Sequence, residues 1–254
     1  MPDGRASGIY TKGFKKDSFD HYISPMKGLD KILDPKHWLE DDEINKACAL
    51  IQQHYPRING LQDVCVVTAG QGIVVSSPML QIMHSHTQHW VTVSTIGCAN
   101  DTIRLFDSMY MDVDRYCVNN LIHLMAFKEQ TGLTIEVAKF QRQRSKADCG
   151  LFAIAAAFSL VLGQNPSEVC YDRELMRAHL HNCLKTKTLT DFPKFAGQPN
   201  MKLGRKYKVY MCCACTQVIL NNAQQCGVCR RWCHSERCLS SVSRLATCSN
   251  CAGQ

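Results

Sequence analysis

Residues 141–163 read Q-R-Q-R-S-K-A-D-C-G-L-F-A-I-A-A-A-F-S-L-V-L-G, and the fold turns on how this stretch is read. From Leu151 to Leu162 every residue but Ser159 is apolar, with Ala, Leu and Phe dominant. A helix that is apolar all round must be buried on nearly every face, so the segment is expected to be the central helix of a core. It is too short to cross a bilayer, which needs about 20 apolar residues. A thiol, Cys149, stands at its start between Asp148 and Gly150. Unpaired N–H groups and the positive end of the helix dipole favour a thiolate there. A buried, inert helical cysteine is the competing reading, and the remaining sequence has to separate the two.

The chain has 254 residues, 45% of them hydrophobic, which is enough for one full core and something small beside it. The first residues, M-P-D-G-R-A-S-G-I-Y, carry no apolar leader, and no apolar run approaches membrane-spanning length. An intracellular protein of nucleus or cytoplasm, with no membrane association, is therefore expected. Of sixteen cysteines, seven are scattered before residue 200 and nine crowd between Cys212 and Cys251. In a reducing compartment such crowding reads as metal ligation. Charge is just as uneven. Residues 201–254 carry eight Lys/Arg against Glu236 alone, and the first 200 residues are balanced at 21 and 21. Thiolates on zinc would reduce the basic excess, so a nucleic-acid partner stays an open question.

Trp38 precedes a helix expected to be capped by Asp41 or Asp42, with Ile44, Ala47, Cys48 and Ile51 on its apolar face. By itself Trp38 reads as a hydrophobic staple. Val64–Val67 and Gly72–Ser77 are β-rich runs, and Met79–Met83 is a further apolar run. His89–Ser94 (H-W-V-T-V-S) alternates as a strand does, and a turn at Gly97–Asp101 returns the chain through I-R-L-F-D-S. A hairpin centred on residue 98 sets His89 beside Asp107. A helix over 116–130 with Gly132 as its cap, a strand over 133–137 and a peripheral helix over 174–184 follow. The domain is expected to close near Pro193. His84, His86 and His89 spell H-x-H-x-x-H, but no Cys or carboxylate clusters with them to complete a metal site.

Thiol hydrolysis needs a nucleophile, a base, a group that orients the base, and donors for the oxyanion. Cys149, His89 and Asp107 are candidates for the first three. The donors are Gln143, six residues before the thiol, and the Cys149 backbone N–H. In that order the pieces W-L-E-D-D-E-I, H-W-V-T-V-S, L-F-D-S and Q-R-S-K-A-D-C-G resemble the ubiquitin-like-protein-specific cysteine proteases of the sentrin/SUMO-protease family. The resemblance spans about residues 30–195. It implies an α+β, papain-like core, with His89, Asp107 and Cys149 as the triad and Gln143 as the oxyanion-hole residue. It also implies that Trp38 and Trp90 flank a channel admitting only Gly-Gly, that the substrate is a ubiquitin-like protein ending in Gly-Gly, and that catalysis needs no cofactor. The loop R-Q-R-S-K-A departs from the family's Pro/Asn/Gly-rich approach to the thiol, which leaves substrate preference open. Two other readings compete: acetyl transfer with the same triad, and a non-catalytic binding protein.

The tail spacing is Cys212-x2-Cys215-x10-Cys226-x2-Cys229-x4-His234-x3-Cys238-x9-Cys248-x2-Cys251. Eight ligands make two tetrahedral sites, and about 40 residues need such metal to fold. The order resembles a PHD-type finger, although the His-to-Cys step is longer and no Trp precedes the last pair. The resemblance implies interleaved ligation of two structural zinc ions: Cys212, Cys215, His234 and Cys238 on one, and Cys226, Cys229, Cys248 and Cys251 on the other. A chromatin or other protein ligand would follow. Cys213 and Cys233 are left over. The expected division is a lead-in over 1–30, a protease domain over 31–196, a linker over 197–208 and the finger over 209–254, with truncation near residue 200 leaving a folded domain.

Overall fold

The computed structural model describes residues 28–86, 88–125, 132–195, 197, 204–240 and 246–252. The expected lead-in lies almost wholly outside them. From Leu29 the chain makes a 3-10 turn, Leu29–Leu33, that buries Leu29 and Ile32. Helix α1 (Asp41–His54) follows and buries Ile44, Ala47, Cys48 and Ile51, the face expected. Its cap is Glu40 rather than Asp41 or Asp42. The Glu40 and Glu43 side chains bond each other's backbone ends in a capping box.

Two expected strands do not form. Val64–Thr68 is a short helix, α2, because Asp63 accepts from the Cys65 N–H and Asn45 Oδ1 accepts from the Val64 N–H. Two side-chain caps outweigh the β preference of four residues. Gly72–Ser77 contributes only a bridge from Val75 to Met125. Gln62 bonds both the N–H and the carbonyl of Ile73, so those groups are not free for a ladder.

A seven-stranded mixed sheet organises the rest. Its strands are β1 (Asn59–Gly60), β2 (Met79–Ser85), β3 (His89–Ser94), β4 (Thr102–Phe106) and β5 (Leu133–Val137), then β8 (Lys206–Met211) and β9 (Val218–Ile219), in that spatial order. β1 pairs with β2 and β4 with β5 in parallel; the other neighbours are antiparallel. A short ribbon of β6 (Cys170–Tyr171) and β7 (Lys194–Phe195) closes the end of this unit.

Both faces of the sheet are covered. On one, Leu80, Ile82, Trp90 and Phe106 pack against α1 and the central helix, Cys149–Val161. On the other, Met79, Met83, Val91, Val93 and Leu105 meet Val118 and Leu121 of the preceding helix, Arg115–Leu124. We number the Arg115–Leu124 helix α3 and the central helix α4. α3 ends six residues before its expected limit. Met125 turns extended to bridge Val75, and residues 126–131, which lead to Gly132, lie outside the described ones.

The central helix is buried from Cys149 to Leu160. Its one polar residue is paired, as the Ser159 hydroxyl meets that of Tyr171 at 3.0 Å. Gly150 is a packing residue. A Cβ there would lie 2.9 Å from Leu39 Cβ and 3.3 Å from Ile44 Cδ1, so a side chain would push α4 off the start of α1. Helix α5 (Arg173–Thr186), capped by Asp172, lies alongside with Met176, Leu180 and Leu184 buried.

The expected linker overlaps a strand. β8 begins at Lys206, inside the 197–208 range, and pairs with β5 over four residues from Leu133 to Glu136. Val209 is wholly buried in the second core. Beyond β9, two small ribbons follow: β10 (Ala223–Gln225) with β11 (Trp232–His234), and β12 (Leu239–Ser240) with β13 (Thr247–Cys248). The short helix α6 (Ser249–Ala252) comes after them. Among the described residues, the buried cluster of this part is Ile219 and five cysteines, so little of it is hydrocarbon. Among the described residues no helix is long and apolar enough to cross a membrane.

Candidate active site and cysteine clusters

The thiol is the first residue of α4, as expected, and His89 arrives from the sheet. The Thr92 hydroxyl donates to the Ala153 carbonyl at 2.6 Å, which locks β3 onto the helix. His89 lies three residues before Thr92 and Cys149 four before Ala153, so this one bond brings imidazole and thiol to the same end.

The hairpin register differs from the expected one by two residues. Thr92 opposes Phe106 and Ser94 opposes Arg104, which centres the turn on residue 99. Continued outward, that register sets Asp107 opposite Val91, diagonal to His89. A two-residue slip keeps every side chain on its face, so the pair survives. His89 Nε2 and Asp107 Oδ1 are 2.7 Å apart, with His89 4% and Asp107 1% exposed. Asp107 Oδ1 also accepts from the backbone N–H groups of Met109 (2.7 Å) and Tyr110 (2.8 Å), which hold the carboxylate still. The Tyr110 ring stands edge-on to His89 with centroids 5.2 Å apart.

Burial by itself would lower the His89 pKa. The Asp107 hydrogen bond and the Cys149 sulfur outweigh it and raise the ring from 6.5 to about 9. Nδ1, the nitrogen not bonded to Asp107, makes no hydrogen bond of good geometry, although the sulfur interacts with the ring. Because the folded pKa lies above the unfolded one, the stabilisation is complete below pH 6.5 and is lost as pH rises through 9. A fall in melting temperature across that window is expected, and Asp107→Asn should flatten it. An equal slope in both proteins would contradict the assignment.

Gln143 is half-buried, and both ends of its amide are occupied. Ser108 Oγ donates to Oε1 at 2.5 Å, and Nε2 donates to the Ser145 carbonyl at 2.9 Å, leaving one amide hydrogen. Trp90 is 5% exposed and its indole N–H donates to the Leu39 carbonyl at 2.9 Å, whereas Trp38 is 46% exposed. The H-x-H-x-x-H histidines part company. The His84 ring packs edge-on to Trp90, His86 stacks on Tyr110, and His89 takes Asp107.

Two positioning residues escaped the sequence reading. Asp148, buried beside the thiol, is gripped by Arg173 Nε at 2.8 Å and Arg177 Nη2 at 3.4 Å. Arg177 also donates to the carbonyls of Ile32 (3.0 Å), His37 (2.9 Å) and Ala147 (3.2 Å). It thereby ties the segment before Trp38 to the loop before Cys149. The available signal was a lone cation on the apolar face of α5, in step with Leu180 and Leu184. Arg177→Met is expected to cost about 3–5 kcal/mol in urea unfolding, since it leaves a buried carboxylate and three carbonyls short of a donor. A loss below about 1 kcal/mol would show that water replaces it.

In the tail, the ligand sets expected from the PHD resemblance come together. The donors of Cys212, Cys215, His234 and Cys238 lie within 4.8 Å of one another, and so do those of Cys226, Cys229, Cys248 and Cys251. His234 Nδ1 is 3.5 Å from Cys215 Sγ and 3.7 Å from Cys238 Sγ, and Cys229 Sγ is 3.9 Å from Cys248 Sγ. Tetrahedral zinc, with ligands at about 2.0–2.3 Å, sets its donors roughly 3.5–3.8 Å apart, so these residues fit it. With Nδ1 as ligand, Nε2 is left beside the Val218 carbonyl at 3.2 Å and Arg237 Nη2 at 2.9 Å, two contacts that orient the ring.

No family model matches the chain, and no curated protein does. Among solved structures it is similar to the SUMO protease Ulp1 with its catalytic cysteine oxidised to a sulfonic acid. The identity is 16%, over 68% of this chain and 95% of that one, with a TM-score of 0.47. It is also similar to the C-terminal Ulp1 protease domain in complex with the yeast orthologue of SUMO (12% identity, 72% and 100% coverage, TM-score 0.45). A third similar structure is the Xanthomonas campestris effector protein XopD bound to ubiquitin (14% identity, 60% and 92% coverage, TM-score 0.39).

Proposed function

We propose that this chain is a thiol peptidase or isopeptidase that cuts after the C-terminal Gly-Gly of a ubiquitin-like protein. The observation that carries the reading is a buried His89–Asp107 pair at 2.7 Å whose ring also interacts with the thiol at the first position of the central helix. The helix start and the imidazolium both place positive potential at Sγ, the setting in which thiolate nucleophiles occur. Sγ attacks the glycyl carbonyl carbon, and the carbonyl electron pair moves to oxygen. The Cys149 N–H and the remaining Gln143 amide hydrogen supply the oxyanion donors. His89 gives its proton to the departing amine as the tetrahedral intermediate collapses to a thioester. It then takes a proton from water, whose oxygen attacks the thioester, and Sγ leaves. Asp107 holds the ring and its positive charge throughout.

Trp38, the exposed indole, is the wall a substrate tail would meet. Trp90 braces it through Leu39. Trp38→Ala should therefore relax discrimination between tails ending Gly-Gly and Gly-Ala by about 10-fold or more. Trp90→Ala should chiefly lower the melting temperature. The opposite pattern would return Trp38 to a core role.

The C-terminal residues form a finger in which zinc, when bound, supplies structural cross-links. Cys212, Cys215, His234 and Cys238 would hold one ion, and Cys226, Cys229, Cys248 and Cys251 the other. The whole reading is tested with a panel of ubiquitin-like proteins bearing C-terminal electrophiles, alongside acetyl-CoA. A covalent adduct with at least one modifier is expected. Acetylation of Cys149 with no adduct to any modifier would replace hydrolysis by acyl transfer.

A further inference from the structure

The finger reading leaves Cys213 and Cys233 without a role, yet neither is at the periphery. Cys233 is wholly buried and Cys213 half-buried. The Cys213 N–H donates to the Trp232 carbonyl at 2.8 Å, which sets the end of β8 against β11 and the two thiols side by side. Their sulfurs are 3.0 Å apart. Together with Cys248 they form a third group whose donors all lie within 4.8 Å of one another. Cys248 thus belongs to two sets, this one and the second zinc set. Cys229 of that second set is 3.9 Å from Cys213 and 3.9 Å from Cys248.

We propose that Cys213 and Cys233 complete a binuclear zinc cluster with the second site, so that the finger binds three ions. The proposal rests on the finger reading above. Cys226 and Cys251 would be terminal ligands of one ion, Cys213 and Cys233 of the other, and Cys229 and Cys248 would bridge the two. Six sulfurs suffice for two tetrahedral ions only when two of them are shared, and Cys248 is already common to both sets. The Cys213–Cys229 and Cys229–Cys248 separations match the roughly 3.8 Å edge of a zinc–thiolate tetrahedron; to fit, the Cys213–Cys233 pair must open by about 0.8 Å, and Cys229, outside the Cys213–Cys233–Cys248 group, must draw closer to Cys233. A disulfide between Cys213 and Cys233 is the competing fate, and it would leave Cys226, Cys229, Cys248 and Cys251 to hold a single ion.

The test uses the full chain, purified anaerobically with a phosphine reductant, with metal measured per chain. Three zinc ions are expected for the native protein and two for the Cys213→Ser/Cys233→Ser double variant. After exchange with ¹¹³Cd, three resonances are expected, two of them split by coupling through shared thiolates and one unsplit. Two ions in the native protein would overturn the cluster and leave the two-ion finger standing, and three resonances without coupling would overturn the shared thiolates. One ion or none would overturn both. The native stoichiometry needs no variant, so a double variant that failed to fold would not rescue the idea.

Discussion

Cys149→Ser is expected to abolish adduct formation with a C-terminally electrophilic ubiquitin-like protein and to lower turnover by at least about 10³-fold, because nucleophile and base act as one unit. The informative control is Cys183. Among the described residues outside the cysteine-rich tail, it is the other thiol with a histidine at hand: His179 Nε2 is 3.4 Å from its sulfur. Burial raises its pKa, but His179 and Thr190 outweigh that and lower it. A reactivity argument built on a Cys–His pair alone would name Cys183 as readily as Cys149. Cys183 lies inside α5 with no exposed surface, whereas Cys149 opens a helix whose first amide groups are not all paired within it. Cys183→Ser should therefore leave labelling unchanged. Labelling that survives Cys149→Ser, measured by intact mass, would end the peptidase reading.

Ending the chain after residue 200 is expected to damage the catalytic unit, contrary to what the composition of 197–208 suggests. The cut removes β8, whose pairing covers the edge of β5, and takes Val209 out of the second core. It also removes Gly204, which packs so closely on β5 that a Cβ would fall 1.3 Å from the Val137 carbonyl oxygen. Losing Val209 and the partly buried Tyr207 and Met211 is worth about 4–6 kcal/mol of apolar burial. For a chain of this size that is a fall of roughly 10–20 °C in melting temperature. The bare β5 edge adds a tendency to self-associate. Ending the chain after residue 212 keeps β8 and should recover most of the loss, although it removes the finger as well. Melting curves and size-exclusion profiles of the two truncations decide the point. Melting temperatures within about 3 °C of each other would restore residues 197–208 as a linker.

The contrast between those two predictions marks how far one dimension reaches. The central helix, the thiol at its start, the strand over His89–Ser94 and the alternating strand over Leu133–Val137 were all legible from local periodicity, because each buries a face that the pattern itself defines. The His89–Asp107 pair was legible for a subtler reason. The expected register was off by two residues, and a period of two forgives that error. The resemblance of the cysteine order to a PHD-type finger likewise named the two groups of donors that come together.

What local pattern could not supply was who satisfies whom. Val64–Val67 reads as strand by propensity, and it is helix because Asp63 and Asn45 reach its N–H groups. Arg177 reads as a surface cation on an amphipathic helix, and it is buried because four acceptors, from Ile32 to Asp148, converge on it. Lys206–Met211 reads as the end of a linker and the start of the finger, and it is a strand because β5 has an edge to cover. In each case the deciding partner lies far away in the chain or in a side chain whose aim no periodicity encodes. Only the closed tertiary structure, where every buried donor and acceptor must find its match, assigns those roles.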